Sequence, residues 1–122
     1  MEDRQNDRIS LGKKGEEAAV RYLAKRKYKI LARGFRMFRG EIDIIASHRR
    51  TLVFCEVKTR RSRRYGFPEE AVTEAKQDQI RKIAQGYLLK SRLADAFCRF
   101  DVLSVVVDEN GRAEIEHIRD AF

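Results

Sequence analysis

Hydrophobic and polar positions along the 122 residues change their period several times, and each change marks an element. From Gly12 to about Lys27, the residues Gly15, Ala18, Ala19, Tyr22 and Leu23 recur at the spacing of one buried helical stripe, which predicts an α-helix. Met1 to Ser10, ahead of it, are mostly polar and read as a flexible tail. Tyr28 to Phe38 carries Tyr28, Ile30, Leu31, Phe35 and Phe38 threaded with Arg33, Arg36 and Arg39. The imperfect alternation predicts an irregular edge strand, bent at Gly34. Two β-branched, apolar runs follow, Glu41 to Ala46 and Leu52 to Val57, joined by a short polar turn, which is the pattern of a β-hairpin.

Further on, Thr73 reads as the N-cap of a helix whose stripe is Ile80, Ile83, Ala84, Tyr87 and Leu88 and which runs out near Ser91. Lys76, Gln77, Arg81 and Lys82 fall off that stripe and are expected to face solvent. Phe97 to Val107 is apolar on both faces through Val102 to Val107, as a central strand would be. The helix before it is long enough to bring this strand parallel to the second strand of the hairpin. Asp108 to Gly111 reads as a hairpin turn, and Arg112 to Ile118 as a polar edge strand. The expected fold is α/β, in the order α-β-β-β-α-β-β, with a mixed sheet flanked by helices. One domain is expected over residues 11–122, since a chain of this length buries a single core.

The candidate chemistry lies in the hairpin. Strand alternation puts Asp43 on one face with Ile42 and Ile44 on the other, while Val53, Cys55 and Val57 oppose Glu56 and Lys58. Register decides whether the charges meet. An even connection, Arg49–Arg50 or His48 to Thr51, sets Asp43 across from Glu56 and Glu41 across from Lys58; an odd one without a bulge separates the two acids. In the even register their Cβ atoms stand roughly 5 Å apart, and two carboxylates so placed repel unless a cation neutralises them. A hard divalent ion such as Mg²⁺, held by one or two carboxylates and waters, would do so. Lys58 would then orient or deprotonate the attacking water, or steady charge on a phosphate.

An acid, a hairpin turn and Glu-x-Lys on the next strand resemble the PD-(D/E)xK nuclease superfamily, with its restriction-endonuclease-like fold. More narrowly, several segments together resemble the YraN-type bacterial proteins: Gly12-Lys-Lys-Gly15-Glu16, Gly40-Glu-Ile-Asp43-Ile-Ile-Ala46, Phe54-Cys-Glu56-Val-Lys58-Thr-Arg60, Ala71-Val-Thr73 and Arg99-Phe-Asp101-Val102. The likeness covers nearly the whole chain from about residue 10, and departs from the superfamily pattern at Ile42, where a proline would precede the acid. It implies an Mg²⁺ or Mn²⁺ site on Asp43, Glu56 and Val57, with Lys58 catalytic and Glu16 or Glu41 assisting. Resolvase-like nucleases, whose first helix offers an acid to the metal, suggest the role for Glu16; otherwise Glu16 simply complements the positive helix end. Glu-x-Lys alone arises by chance in roughly every second or third chain of this size, taking Glu and Lys at about 6% each. Glu74-Ala-Lys76 is such a second match, in a helical pattern where residues two apart do not share a face. Asp101 is read as structural.

Charge adds a partner. Twenty-seven Lys and Arg against 19 Asp and Glu leave +8, with a pI near 9.8, which points to a polyanion, nucleic acid first, and the nuclease resemblance implies DNA. The cations gather beside the hairpin: Arg36 and Arg39 before it, Arg60, Arg61, Arg63 and Arg64 after it. Such a run is ordinarily a solvated loop, but at the mouth of an acidic metal site it would draw in a phosphate backbone by counterion release. Cys55 reads as core, and two isolated cysteines make neither a disulfide framework nor a thiolate site. His48 and His117 lack partners at metal-ligand spacing and read as surface residues. No apolar run reaches the 18 residues of a membrane span and the N-terminus has no apolar signal core, so a cytoplasmic location without membrane insertion is expected. Cutting both strands of a duplex would call for a homodimer, which no unpaired apolar stripe announces.

The function expected is that of a metal-dependent endonuclease-like, DNA-binding protein hydrolysing phosphodiesters, in repair or recombination. Two rivals stand beside it: an inactive nucleic-acid-binding accessory protein of the same fold, and a basic adaptor for an acidic protein or membrane surface.

Overall fold

Seven elements follow one another in the expected order: α1 (Arg4–Lys25), β1 (Lys29–Met37), β2 (Gly40–His48), β3 (Thr51–Arg60), α2 (Glu74–Lys90), β4 (Phe97–Val107) and β5 (Ala113–Ile118). The computed structural model describes residues 4–61 and 72–122, with side chains from Ile9 onward. The strands lie in the sheet in chain order, β3 and β4 parallel and every other pair antiparallel.

Helix α1 begins at Arg4, inside the segment expected to be a tail. The apolar stripe starts only near Gly15, so periodicity could not reveal the first turns. Once packing anchors a helix, each further residue adds one hydrogen bond, so the helix extends back through these polar positions. The helix ends in a Schellman motif: Lys27 sits at φ 69°, its N–H donates to Ala24, and the N–H of Tyr28 donates to Leu23. That closure tucks Tyr28 back under the helix, where it is buried with Leu23. Helix α2 starts as expected at Thr73, whose hydroxyl accepts from the Lys76 N–H, and ends at Ser91.

The two helices cover opposite faces of the sheet. Ala18, Ala19 and Leu23 of α1 pack on Ile44, Ala46, Val53, Cys55, Leu103 and Val105, while Ile80, Ile83 and Ala84 of α2 pack on Ile42, Ile45, Leu52, Phe54 and Val102. Gly15 lets α1 close on β3, since a Cβ there would run into the Thr59 side chain. No described helix is long and apolar enough to cross a membrane.

One detail departs from strict alternation and shapes the site. Ile42 belongs to the α2 side and Ile44 to the α1 side, although residues two apart in a regular strand share a face. The neighbouring strand switches at the same level: Arg33 reaches Glu16 of α1, Phe35 packs edge-on against Tyr87 of α2, and between them Gly34 takes φ +58°. Only glycine enters that region without a steric cost. The bend expected at Gly34 is thus shared by β2 at Asp43.

Candidate functional site

The β2–β3 connection is the even, two-residue turn, with Arg49 at φ 49° and Arg50 at φ 67°. Pairing runs from His48↔Thr51 to Ile44↔Cys55 and then stops. Past that point the strands part. Asp43 fills the gap, its Oδ2 accepting the N–H of Val57 at 2.8 Å in place of a backbone acceptor. Asp43 therefore meets Glu56 at the edge of the widened ladder, where the face switch turns it into the sheet plane.

The two carboxyls share one protonation problem. Burial above all, then a shared hydrogen bond with Glu56 and its like charge, pushes Asp43 from 3.8 up to about 7, against the pull of the Val57 N–H and the Lys76 ammonium. Glu56 is only 6% exposed, and its Oε2 is buried without a hydrogen-bond donor. Among the described residues, the cation paired with that atom is Lys76 Nζ, 3.6 Å away. Lys58 follows Glu56 by two residues on a strand whose pairing with β4 is uninterrupted, so the two share a face.

The remaining acids stand around a recess of about 680 Å³ bounded by Lys13, Glu16, Arg36, Glu41, Asp43 and Val57, on the α1 side. Glu16 pairs with Arg33 at 3.2 Å, and Glu41 with Arg36 at 3.3 Å. The Glu41 to Lys58 pairing expected from the register is not made, because β2 and β3 have separated before Glu41 and the acid turns to β1. Among the described residues, no group of three or more His, Cys, Asp and Glu side chains is gathered closely enough to hold a metal. Asp43 and Glu56 come together; Glu16 and Glu41 flank them, each with its own arginine.

Of the cations expected to meet nucleic acid, Arg36 and Arg39 line a second recess of about 510 Å³ with Glu41 and Lys76. Arg60 and Arg61 lie at the end of β3, while Arg63 and Arg64 fall outside the described residues. Lys76 is the correction here. Helical periodicity puts it on the solvent side, within the discounted second Glu-x-Lys match, yet the first turn of α2 places it over Glu56. Twenty positions separate the two, and no local pattern signals that contact.

A second correction concerns the histidines: His117 sits in a buried network, and His48 lies half-buried beside it. Asp101 is fully buried and accepts from Arg99 Nε and a terminal nitrogen at 2.9 Å each, from the Asp120 N–H at 2.9 Å, and lies 2.7 Å from His117 Nε2. Burial alone would raise Asp101, but His117, Arg99 and the Asp120 N–H hold it below the usual carboxylate range. His48 stacks on Tyr28 at 4.0 Å between centroids. His117 meets Asp101 16 positions away and His48 meets Tyr28 20 positions away, so both histidines look isolated in sequence. Cys55 is buried, as expected, and its thiol is pushed up by that burial.

Compared with known proteins, residues 15–105 match the model of the uncharacterised protein family UPF0102. This chain belongs to that family. The UPF0102 protein of Geobacter metallireducens is 53% identical over 113 residues, 93% of this chain and 92% of its own length. That of Geotalea uraniireducens is 50% identical over 121 residues, covering 99% and 94%, and that of Chlorobium limicola 48% over 122 residues, covering 96% and 95%. The matched segment of this UPF0102 chain holds Glu16, Asp43, Glu56, Lys58, Lys76 and Asp101; His117 and Arg119 lie beyond it.

Proposed function

We propose that this UPF0102 chain is a divalent-metal-dependent, nuclease-like protein that binds DNA and hydrolyses phosphodiesters, with branched or damaged DNA as its substrate. The observation that supports this most is Glu56, a buried carboxylate whose Oε2 accepts no hydrogen bond and has the Lys76 ammonium 3.6 Å away, beside a second carboxyl that burial holds at about 7. An unmet buried acceptor costs about 1–3 kcal/mol, more when charged. A hard cation accepting both acids removes that cost and their mutual repulsion, and two carboxylates with waters suit Mg²⁺ or Mn²⁺. The N–H and C=O of one strand residue point to the same neighbouring strand, so the Val57 carbonyl shares the gap that its N–H opens toward Asp43. Asp43, Glu56 and Val57 would hold the ion.

Bound there, the ion supplies Lewis-acid polarisation of a phosphate and eases deprotonation of the attacking water. The chain's own groups do the rest. The Val57 N–H fixes Asp43 and keeps it pointed into the gap. Lys58, on the Glu56 face, places a cation where charge builds on the phosphate. Arg36 and Arg39, in the recess with Glu41, and Arg60 and Arg61, at the end of β3, add positive charge that favours a polyanion by counterion release.

The test has two arms. Calorimetry should show Mg²⁺ or Mn²⁺ binding to the wild type and a loss of it in Glu56→Ala. Branched or supercoiled DNA should be cut with either metal, and cutting should vanish in Asp43→Ala and Lys58→Ala. Metal binding without any cutting would sink the enzymatic part. One observation favours a second reading, an inactive DNA-binding protein of the same fold: Lys76 stands over Glu56, and Arg33 and Arg36 occupy the flanking acids. Salt-dependent DNA binding that survives Asp43→Ala, with no metal uptake, would select it.

A further inference from the structure

At the other end of β2, five residues from Asp43 and so roughly 16 Å along the strand, a recess of about 380 Å³ opens between the end of α1, the β2–β3 turn and the segment after β5. That volume falls within the roughly 300–1,000 Å³ usual for small-ligand pockets. Its rim carries three guanidinium groups, from Arg26, Arg49 and Arg119, and among the described residues none of them has a carboxylate partner. Two are held in place by neutral groups: Arg26 lies 3.7 Å over the Tyr22 ring and donates to the Tyr22 carbonyl, and Arg119 donates to the Tyr28 hydroxyl at 2.9 Å. The third occupies a left-handed turn position where Asn or Gly is the usual choice, and a non-glycine residue there costs about 1 kcal/mol or more.

The floor is aromatic. His48 and Tyr28 stack with their planes 6° apart, and Tyr22 meets His117 edge-on at 5.6 Å. Asp101 is engaged by Arg99, His117 and the Asp120 N–H, and its charge opposes the rim cations at His48 only in part. Burial first, and then Arg49, Arg119 and Arg99, lowers the pKa of His48, which keeps its ring neutral for stacking at ordinary pH. Cations arranged for a phosphate beside a flat ring are the two halves of one kind of ligand.

We infer that this recess binds a nucleoside phosphate, free or as the terminal nucleotide of a strand, with the phosphate on Arg26, Arg49 and Arg119 and the base against the outer face of His48. The inference is independent of the carboxylate site, and its readout is binding rather than cleavage.

Calorimetry on the full chain at low salt should show binding of adenosine 5′-monophosphate, none of adenosine at the same concentration, and inorganic phosphate at least about tenfold weaker. Arg49→Asn retains the left-handed turn and should weaken the monophosphate roughly tenfold, and the Arg26→Gln/Arg49→Asn pair roughly a hundredfold. Displacement of the monophosphate by a 5′-phosphorylated oligonucleotide, but not by its 5′-hydroxyl counterpart, would place a strand end in the recess. Failure of the oligonucleotide to displace it would leave the free nucleotide as ligand; both results uphold the inference. It is overturned if millimolar monophosphate does not bind, if inorganic phosphate or adenosine binds as tightly, or if Arg49→Asn changes nothing.

Discussion

Replacing Asp43 by asparagine should stabilise the metal-free protein at alkaline pH. The folded chain keeps a proton on Asp43 up to about pH 7, whereas the unfolded chain releases it near 3.8. The folded state therefore binds more protons across that interval. The contribution of Asp43 to stability is greatest below pH 4, declines as pH rises, and levels off once Asp43 has ionised above 7. Each pH unit is worth about 1.4 kcal/mol. A comparison of pH 5 with pH 8.5 spans the interval from 5 to about 7, so the wild type should lose about 2–3 kcal/mol, the lower figure allowing for solvent at the recess mouth. The asparagine side chain cannot ionise, still accepts from the Val57 N–H, and can donate an amide proton to Glu56 in place of the carboxyl proton. The Asp43→Asn variant should lose none of that stability. The assay is urea denaturation with EDTA at the two pH values, followed by circular dichroism because the chain has no Trp. A variant no more stable than the wild type at pH 8.5, or a difference that does not change with pH, would refute the buried, hydrogen-bonded pair of acids.

Asp101→Asn should cost about 3–5 kcal/mol at pH 7, since it leaves the Arg99 charge without its buried partner. The lowered Asp101 pKa makes that stabilisation present above the unfolded value of 3.8 and lost below it, so the gap between wild type and variant should narrow in acid denaturation. Gly15→Ala should destabilise by about 1–3 kcal/mol through collision with Thr59, whose Cβ lies 2.7 Å from the added carbon; an unchanged denaturation midpoint would mean that α1 does not close on β3 there.

The order of elements could be read from the chain because each is set by local periodicity and local punctuation. The stripe from Gly15 to Leu23, the Thr73 cap, the turn at Asp108 to Gly111 and the doubly apolar β4 all act within a few residues. The pairing of Asp43 with Glu56 was half legible: an even turn brings the two acids level, but the sequence left the turn length open. What periodicity could not show is the face switch at Gly34 and Asp43. It separates Ile42 from Ile44 and turns an acid from a sheet face into the gap beside Val57. Lys76 over Glu56, and the Tyr28–Arg99–Asp101–His117 network, were equally invisible, since contacts across 16 to 71 residues leave no local spacing. Composition and short-range pattern thus determined which residue types the chain carries and which elements they form. Only the packing of two helices on opposite faces of one sheet decided which charges meet, because burial and distance, not order along the chain, set the energy of a charge.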